Sequence, residues 1–144
     1  GLKVMCSARM DTDFIYEAYR LGAGAVLYSG CHPQDCHYIT GQVVGAKRAK
    51  RLQTIFERMN MTPGRFRVEW ISAAEGDKYA RVLNEMQAVL DAISEQDLLA
   101  EIERLRPEME KRLSRLGTIP GVGPALDYTQ GIIEAMLSTE VAVK

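Results

Sequence analysis

Two short apolar runs, Leu2 to Cys6 and Ala25 to Gly30, flank a segment with helical spacing, and that arrangement leaves the chain few ways to fold. LKVMC reads as a strand buried on both faces, although a run so short does not by itself fix the conformation. Asp11 or Thr12 can cap a helix in which Phe14, Ile15, Ala18 and Leu21 recur at helical intervals, and Gly22 closes it. AVLYSG is then a second strand. A strand, a helix of about three turns and a strand form a βαβ unit, whose right-handed crossover makes the strands parallel. The expected class is α/β: a small, mainly parallel sheet with flanking helices and a helical carboxyl-terminal extension.

Further along, Gly41 to Asn60 reads as a long helix with Leu52, Ile55, Phe56 and Met59 facing inward. Lys47, Arg48, Lys50 and Arg51 fall mostly off that face, as a solvated basic surface would. Pro63-Gly64 makes a turn, and RFRVEWIS supplies a third strand with Phe66, Val68 and Trp70 on one side. Ser72 and Glu75 have the spacing of a capping box, opening a helix striped by Tyr79, Val82, Leu83, Met86, Leu90 and Ile93. Ser94 with Asp97 opens another, carried by Leu98, Ile102, Leu105, Met109 and Leu113, with Pro107 expected to kink or break it. A last helix is expected from about Ala125 to Leu137. The change from βα alternation to pure helix places a candidate boundary near Ser94, with residues 1–93 an α/β domain and 94–144 a helical extension for packing or docking.

The chemistry is concentrated in SGCHPQDCHY, residues 29 to 38, which holds both histidines and two of the three cysteines. Cys6 and Cys31 each end an expected strand, and the carboxyl ends of parallel strands share one rim, so Cys6, Cys31 and Cys36 can meet there. Three chemistries suit such a group. An iron–sulfur cluster takes four ligands; Cys31-x4-Cys36 matches the opening step of the plant-type [2Fe–2S] spacing, and His37, His32 or a residue outside this chain can supply the position left over. Zinc held by three cysteines and a histidine is the second. A nucleophilic cysteine is the third, though no Gly-rich anion loop with an arginine follows either strand. His32 and His37 also suit hydrogen bonding to a cluster sulfur or a carbonyl, Asp35 can orient one of the rings, and Arg9 can offset the charge of an anionic centre.

Near-neutral charge (net −1) argues against a general electrostatic nucleic-acid binder. No apolar run approaches the ~20 residues needed to span a bilayer, and three cysteines suit metal or redox work in a reducing compartment, so a cytoplasmic location is expected. LGTIPGVGPAL, from Leu116 to Leu126, resembles the turn of a helix–hairpin–helix nucleic-acid motif. Its following helix opens with Asp127, the wrong charge for phosphate, and a plain turn between packed helices is the preferred reading.

VMCSAR with Asp11, GCHPQDCHY with Gly41, and ISAAEG at Ile71 to Gly76 stand together in an order that resembles the delta subunit of methyl-viologen-reducing hydrogenase, from the first strand to about Ala92. Gln34 and Gln42 depart from that pattern, where Gly and Asn are expected. The resemblance implies a non-catalytic [2Fe–2S] carrier in an anaerobic redox complex. It would pass electrons between hydrogenase or formate dehydrogenase subunits and a heterodisulfide-reductase-A-like flavoprotein. It also implies Cys6, Cys31 and Cys36 as cluster ligands. Full-length members carry further cysteines in an amino-terminal segment, so the resemblance leaves three alternatives: this chain is a piece of a longer subunit or fusion, its fourth ligand is supplied otherwise, or the cluster is gone. A zinc-stabilised scaffold in such a complex is the nearest alternative.

Overall fold

A parallel pair of strands, β1 (Val26–Gly30) and β2 (Phe66–Trp70), forms the centre of the computed structural model, which describes residues 3–117. Val26 pairs with Phe66 and the register continues to Gly30 beside Trp70, so both strands end at one rim. Parallel strands need a crossover, and α2 (Gly41–Arg58) provides it. The other helices are α1 (Thr12–Arg20), α3 (Gly76–Asp91) and α4 (Glu95–Gly117). This is the expected α/β class with a small parallel sheet.

The βαβ unit is β1–α2–β2, one element later than the sequence suggested. Residues 3–6 form no ladder; Lys3 and Met5 are exposed, and the chain turns at Ser7–Arg9 into a short 3-10 segment that packs on α2. An apolar run reports burial and not pairing, and among the described residues β1 pairs only with β2. Helix α1 does begin at Asp11, whose side chain accepts a hydrogen bond from the Thr12 N–H (2.7 Å), and Gly22 takes the positive φ expected of a closing glycine. Its buried face is rotated, however, from Phe14, Ala18 and Leu21 to Ile15, Tyr16 and Tyr19. Aromatic contact takes that face: Tyr16 and Tyr19 meet Phe56 of α2 edge-on.

Leu52, Ala49 and Phe56 of α2 join those residues and Tyr28 in the core, against which Phe66, Val68 and Trp70 of β2 pack. Helix α4 brings Leu105 and Met109 into the same cluster. It lies along α1, with the Arg112 guanidinium over the Tyr16 ring. Pro107 does not interrupt it: the helix runs unbroken through that position, where the proline is exposed and the carbonyl it leaves unbonded can turn to water. Ser94 caps its start by accepting from the Asp97 N–H (3.1 Å). The expected helix from Ala125 to Leu137 and the whole of the IPGVGP segment before it lie outside the described residues.

A polar joint fastens α4 to the amino end of the sheet. Arg65, just before β2, is fully buried; it donates to the Gly24 carbonyl (2.6 Å), the Ala23 carbonyl (3.4 Å) and Glu101 (2.7 Å). Glu101 also accepts from the Thr62 N–H and hydroxyl. Burial alone pushes this carboxyl up, but the Thr62 and Arg65 contacts outweigh it and hold Glu101 below the ordinary carboxylate value.

Candidate metal centre

Position 7 decides where the first cysteine goes. Ser7 is buried between two glycines: a Cβ at Gly30 would stand 2.8 Å from Ser7 Cβ and Oγ, and one at Gly45 would stand 2.9 Å from Ser7 Oγ. Only bare backbone from β1 and α2 lets Ser7 in. The Tyr28 hydroxyl then donates to the Ser7 carbonyl (2.6 Å), and Arg48 donates to the carbonyls of Ala8 (2.8 Å) and Met10 (2.7 Å). Arg48, expected on a solvated face, is instead a clamp on the Cys6 loop. These contacts carry Cys6 to the rim without a strand to deliver it.

Cys31 follows β1 directly. Pro33–Asp35 make a short 3-10 turn, Cys36 ends it, and the next turn holds Ile39 at φ 56°, a left-handed conformation that a β-branched residue rarely takes. Helix α2 then starts at Gly41, whose missing side chain matters: a Cβ there would lie 2.5 Å from Cys6 Sγ and 3.7 Å from Cys36 Sγ. Two sulfurs from distant segments therefore flank one small space at the amino end of a helix, where peptide N–H groups favour negative charge. The Gln42 N–H donates to Cys36 Sγ (3.2 Å). That bond, ahead of others from the following turn and from the Cys31 thiol, pulls the Cys36 thiol down, while burial and its bond to Cys36 push Cys31 up. Cys36 is thus the more acidic thiol of the pair. All three cysteines are unpaired and partly exposed.

The remaining sequence candidates divide. His32 is fixed: its Nε2 lies 2.6 Å from Glu75 Oε2, which also accepts from the Ser72 N–H (2.7 Å). The Ser72 backbone bond first and His32 second hold the Glu75 carboxyl down to about 2. His37 is exposed with its ring edge-on to Tyr38 at 5.0 Å. Asp35 and Arg9 are exposed; the Asp35 N–H donates to the His32 carbonyl (3.0 Å) and the Arg9 N–H to the Cys6 carbonyl (2.8 Å). Neither charged group meets a side-chain partner among the described residues. Nor do any three Cys, His, Asp or Glu groups there converge on the position of a single metal ion. The Cys6 and Cys36 sulfurs lie beside Gly41 and the Cys31 thiol is hydrogen-bonded to Cys36, a soft donor set that fits part of the ligation of an iron–sulfur cluster.

Sequence reading passed over Glu75 as a site residue. Its S-x-x-E spacing signals a helix start, and α3 does begin at Gly76, with Glu75 itself as the residue before it. Nothing in the spacing announces a bond to a histidine 43 positions away.

Comparison with known proteins gives the same region. The family profile described as methyl-viologen-reducing hydrogenase, delta subunit, matches residues 2–94. The chain is 40% identical over 89 residues to the iron-sulfur D subunit of the F420-non-reducing hydrogenase of Archaeoglobus profundus, covering 62% of this chain and 65% of that one. It is 36% identical over 92 residues to the vhc iron-sulfur D subunit of the F420-non-reducing hydrogenase of Methanococcus voltae, covering 64% of each. It is also 39% identical over 92 residues to the A subunit of the ferredoxin/F(420)H(2)-dependent CoB-CoM heterodisulfide reductase of Methanosarcina acetivorans, covering 64% of this chain but 12% of the reductase protein. The chain thus spans under two thirds of each of these relatives.

Proposed function

Because the chain belongs to the methyl-viologen-reducing hydrogenase delta-subunit family, we propose that it is an electron-transfer module holding a [2Fe–2S] cluster. On this reading it passes electrons between hydrogenase or formate dehydrogenase subunits and a heterodisulfide-reductase-A-like flavoprotein. The relatives support that position. In one, the matching segment is a small part of a heterodisulfide reductase protein; in others it is most of a separate iron-sulfur subunit of a hydrogenase. Occurrence in both settings suits a link between the two.

The observation that carries the reading is the pair of sulfurs, Cys6 and Cys36, beside bare Gly41, with the Cys31 thiol hydrogen-bonded to Cys36. Cys6, Cys31 and Cys36 are the ligands, and His37, next to Cys36, is the candidate for the fourth position. A bound cluster supplies one-electron chemistry, and no substrate bond is made. The protein's share is to fix the sulfurs, place helix N–H groups beside them and set the exposure of the site. A tetrahedral zinc would draw every donor to about 2.0–2.3 Å of one centre. A two-iron cluster divides its ligands between metals, so its donors need not converge on one point, and among the described residues no three do.

Anaerobically prepared protein is expected to be brown, with iron and sulfide in equal amounts, and to lose both in Cys31→Ser and Cys36→Ser. His37→Ala should weaken retention. A colourless protein with stoichiometric zinc would replace the carrier by a zinc-stabilised scaffold.

A further inference from the structure

The two loops at the rim are tied by a single carboxylate. Glu75 Oε2 accepts from the Ser72 N–H (2.7 Å), at the end of β2, and lies 2.6 Å from His32 Nε2, one residue after Cys31 at the end of β1. An ionised carboxylate can only accept, so Nε2 carries the hydrogen, and that nitrogen is not available to a metal. Both side chains are about one-third exposed (32% and 35%). The contact is therefore not a core requirement. Its effect falls on a local element: the Cys31–His32 backbone is held to the start of α3 as well as to β1.

We propose that Glu75 is a positioning residue for the cluster, acting through His32 to fix the Cys31 sulfur relative to Cys36 and Cys6. The inference rests on Cys31 being a ligand. Metal sites depend on such outer contacts because a ligand free to wander binds the metal less tightly and sets its electronic environment less sharply. Here Glu75 bonds His32 and Ser72, and the histidine beside Cys31 transmits the restraint. Glu75→Ala removes both halves of the strap. His32→Ala removes only the crossing half and leaves the Ser72 contact, so loss of the α3 start is separated from loss of the strap. Glu75→Gln keeps an acceptor oxygen for the ring N–H.

The test uses the whole chain, reconstituted anaerobically with iron and sulfide, with release of iron to a chelator and the electron paramagnetic resonance spectrum of the reduced protein as readouts. Glu75→Ala and His32→Ala are each expected to release iron on the order of 10-fold faster than wild type and to shift the g-values. The double variant should be no worse than either single one, and Glu75→Gln should recover most of the wild-type behaviour. Wild-type release and g-values in both single variants, with Cys31→Ser devoid of cluster, would overturn the strap and leave the ligand reading intact. Cys31→Ser with a full wild-type cluster would overturn both.

Discussion

The two ends of the β1–β2 sheet are built from opposite materials. At the amino end, Arg65 is buried with its guanidinium bonded to Gly24, Ala23 and Glu101, while its carbonyl accepts from the Tyr19 hydroxyl (2.8 Å) and the Val26 N–H (2.7 Å). At the carboxyl end stand three partly exposed thiols, a buried Ser7 hydroxyl without a partner, and Ile39, 83% exposed in a left-handed turn. One end has satisfied its polar groups and holds the fold together. The other keeps donor atoms unspent, and that is where ligands can be taken up.

The largest break in this contrast comes from Arg65→Ala. It strands the Glu101 carboxylate and two carbonyls, and denaturant unfolding should show a loss of about 3–5 kcal/mol. The protein that remains folded should still take up iron, because the joint lies away from the sulfurs. At the rim, Gly30→Ala places a methyl against Ser7 and Trp70 and should cost about 1–3 kcal/mol. Unlike Arg65→Ala, it should also lower the iron bound per folded chain, since Ser7 carries Cys6.

The joint is also sensitive to acid. Glu101 titrates lower in the folded chain than in the unfolded one, so its stabilisation is complete above the unfolded value, near 4.5, and is lost as pH falls through the folded one. The denaturation midpoint of wild type should therefore fall more steeply below pH 4.5 than that of Glu101→Gln; parallel curves would remove the carboxylate from the account. The smallest effect is expected at Ser7→Ala. Its hydroxyl is buried without a partner, so its removal should change stability by less than about 1 kcal/mol, in either direction. A larger loss in the same unfolding assay would mean that the hydroxyl does have a partner.

What the sequence displayed was periodicity and density. The alternation in RFRVEWIS gave β2, the stripe through Leu52 and Phe56 gave α2, and the crowding of CHPQDCH pointed to the rim where Cys31 and Cys36 lie. What it concealed were contacts between distant positions. Arg65 looks like any arginine before a strand, and Arg48 like one more charge on a basic face; each is defined by carbonyls some forty residues away. Glu75 was visible as a helix signal, but its bond to His32 depends on two loops ending at one rim. Leu2 to Cys6 misled for the converse reason: local apolar character was plain, and a pairing strand was not there among the described residues.

The central claim is that sulfurs from separate segments grip one cluster, and Cys6 tests it most directly because it lies 25 positions before Cys31 and belongs to no local spacing pattern. Iron and sulfide should be measured per chain in anaerobically reconstituted wild type, Cys6→Ser and Cys36→Ser. Cys6→Ser should lose both as fully as Cys36→Ser does. A Cys6→Ser protein that keeps the wild-type iron and sulfide would contradict the claim.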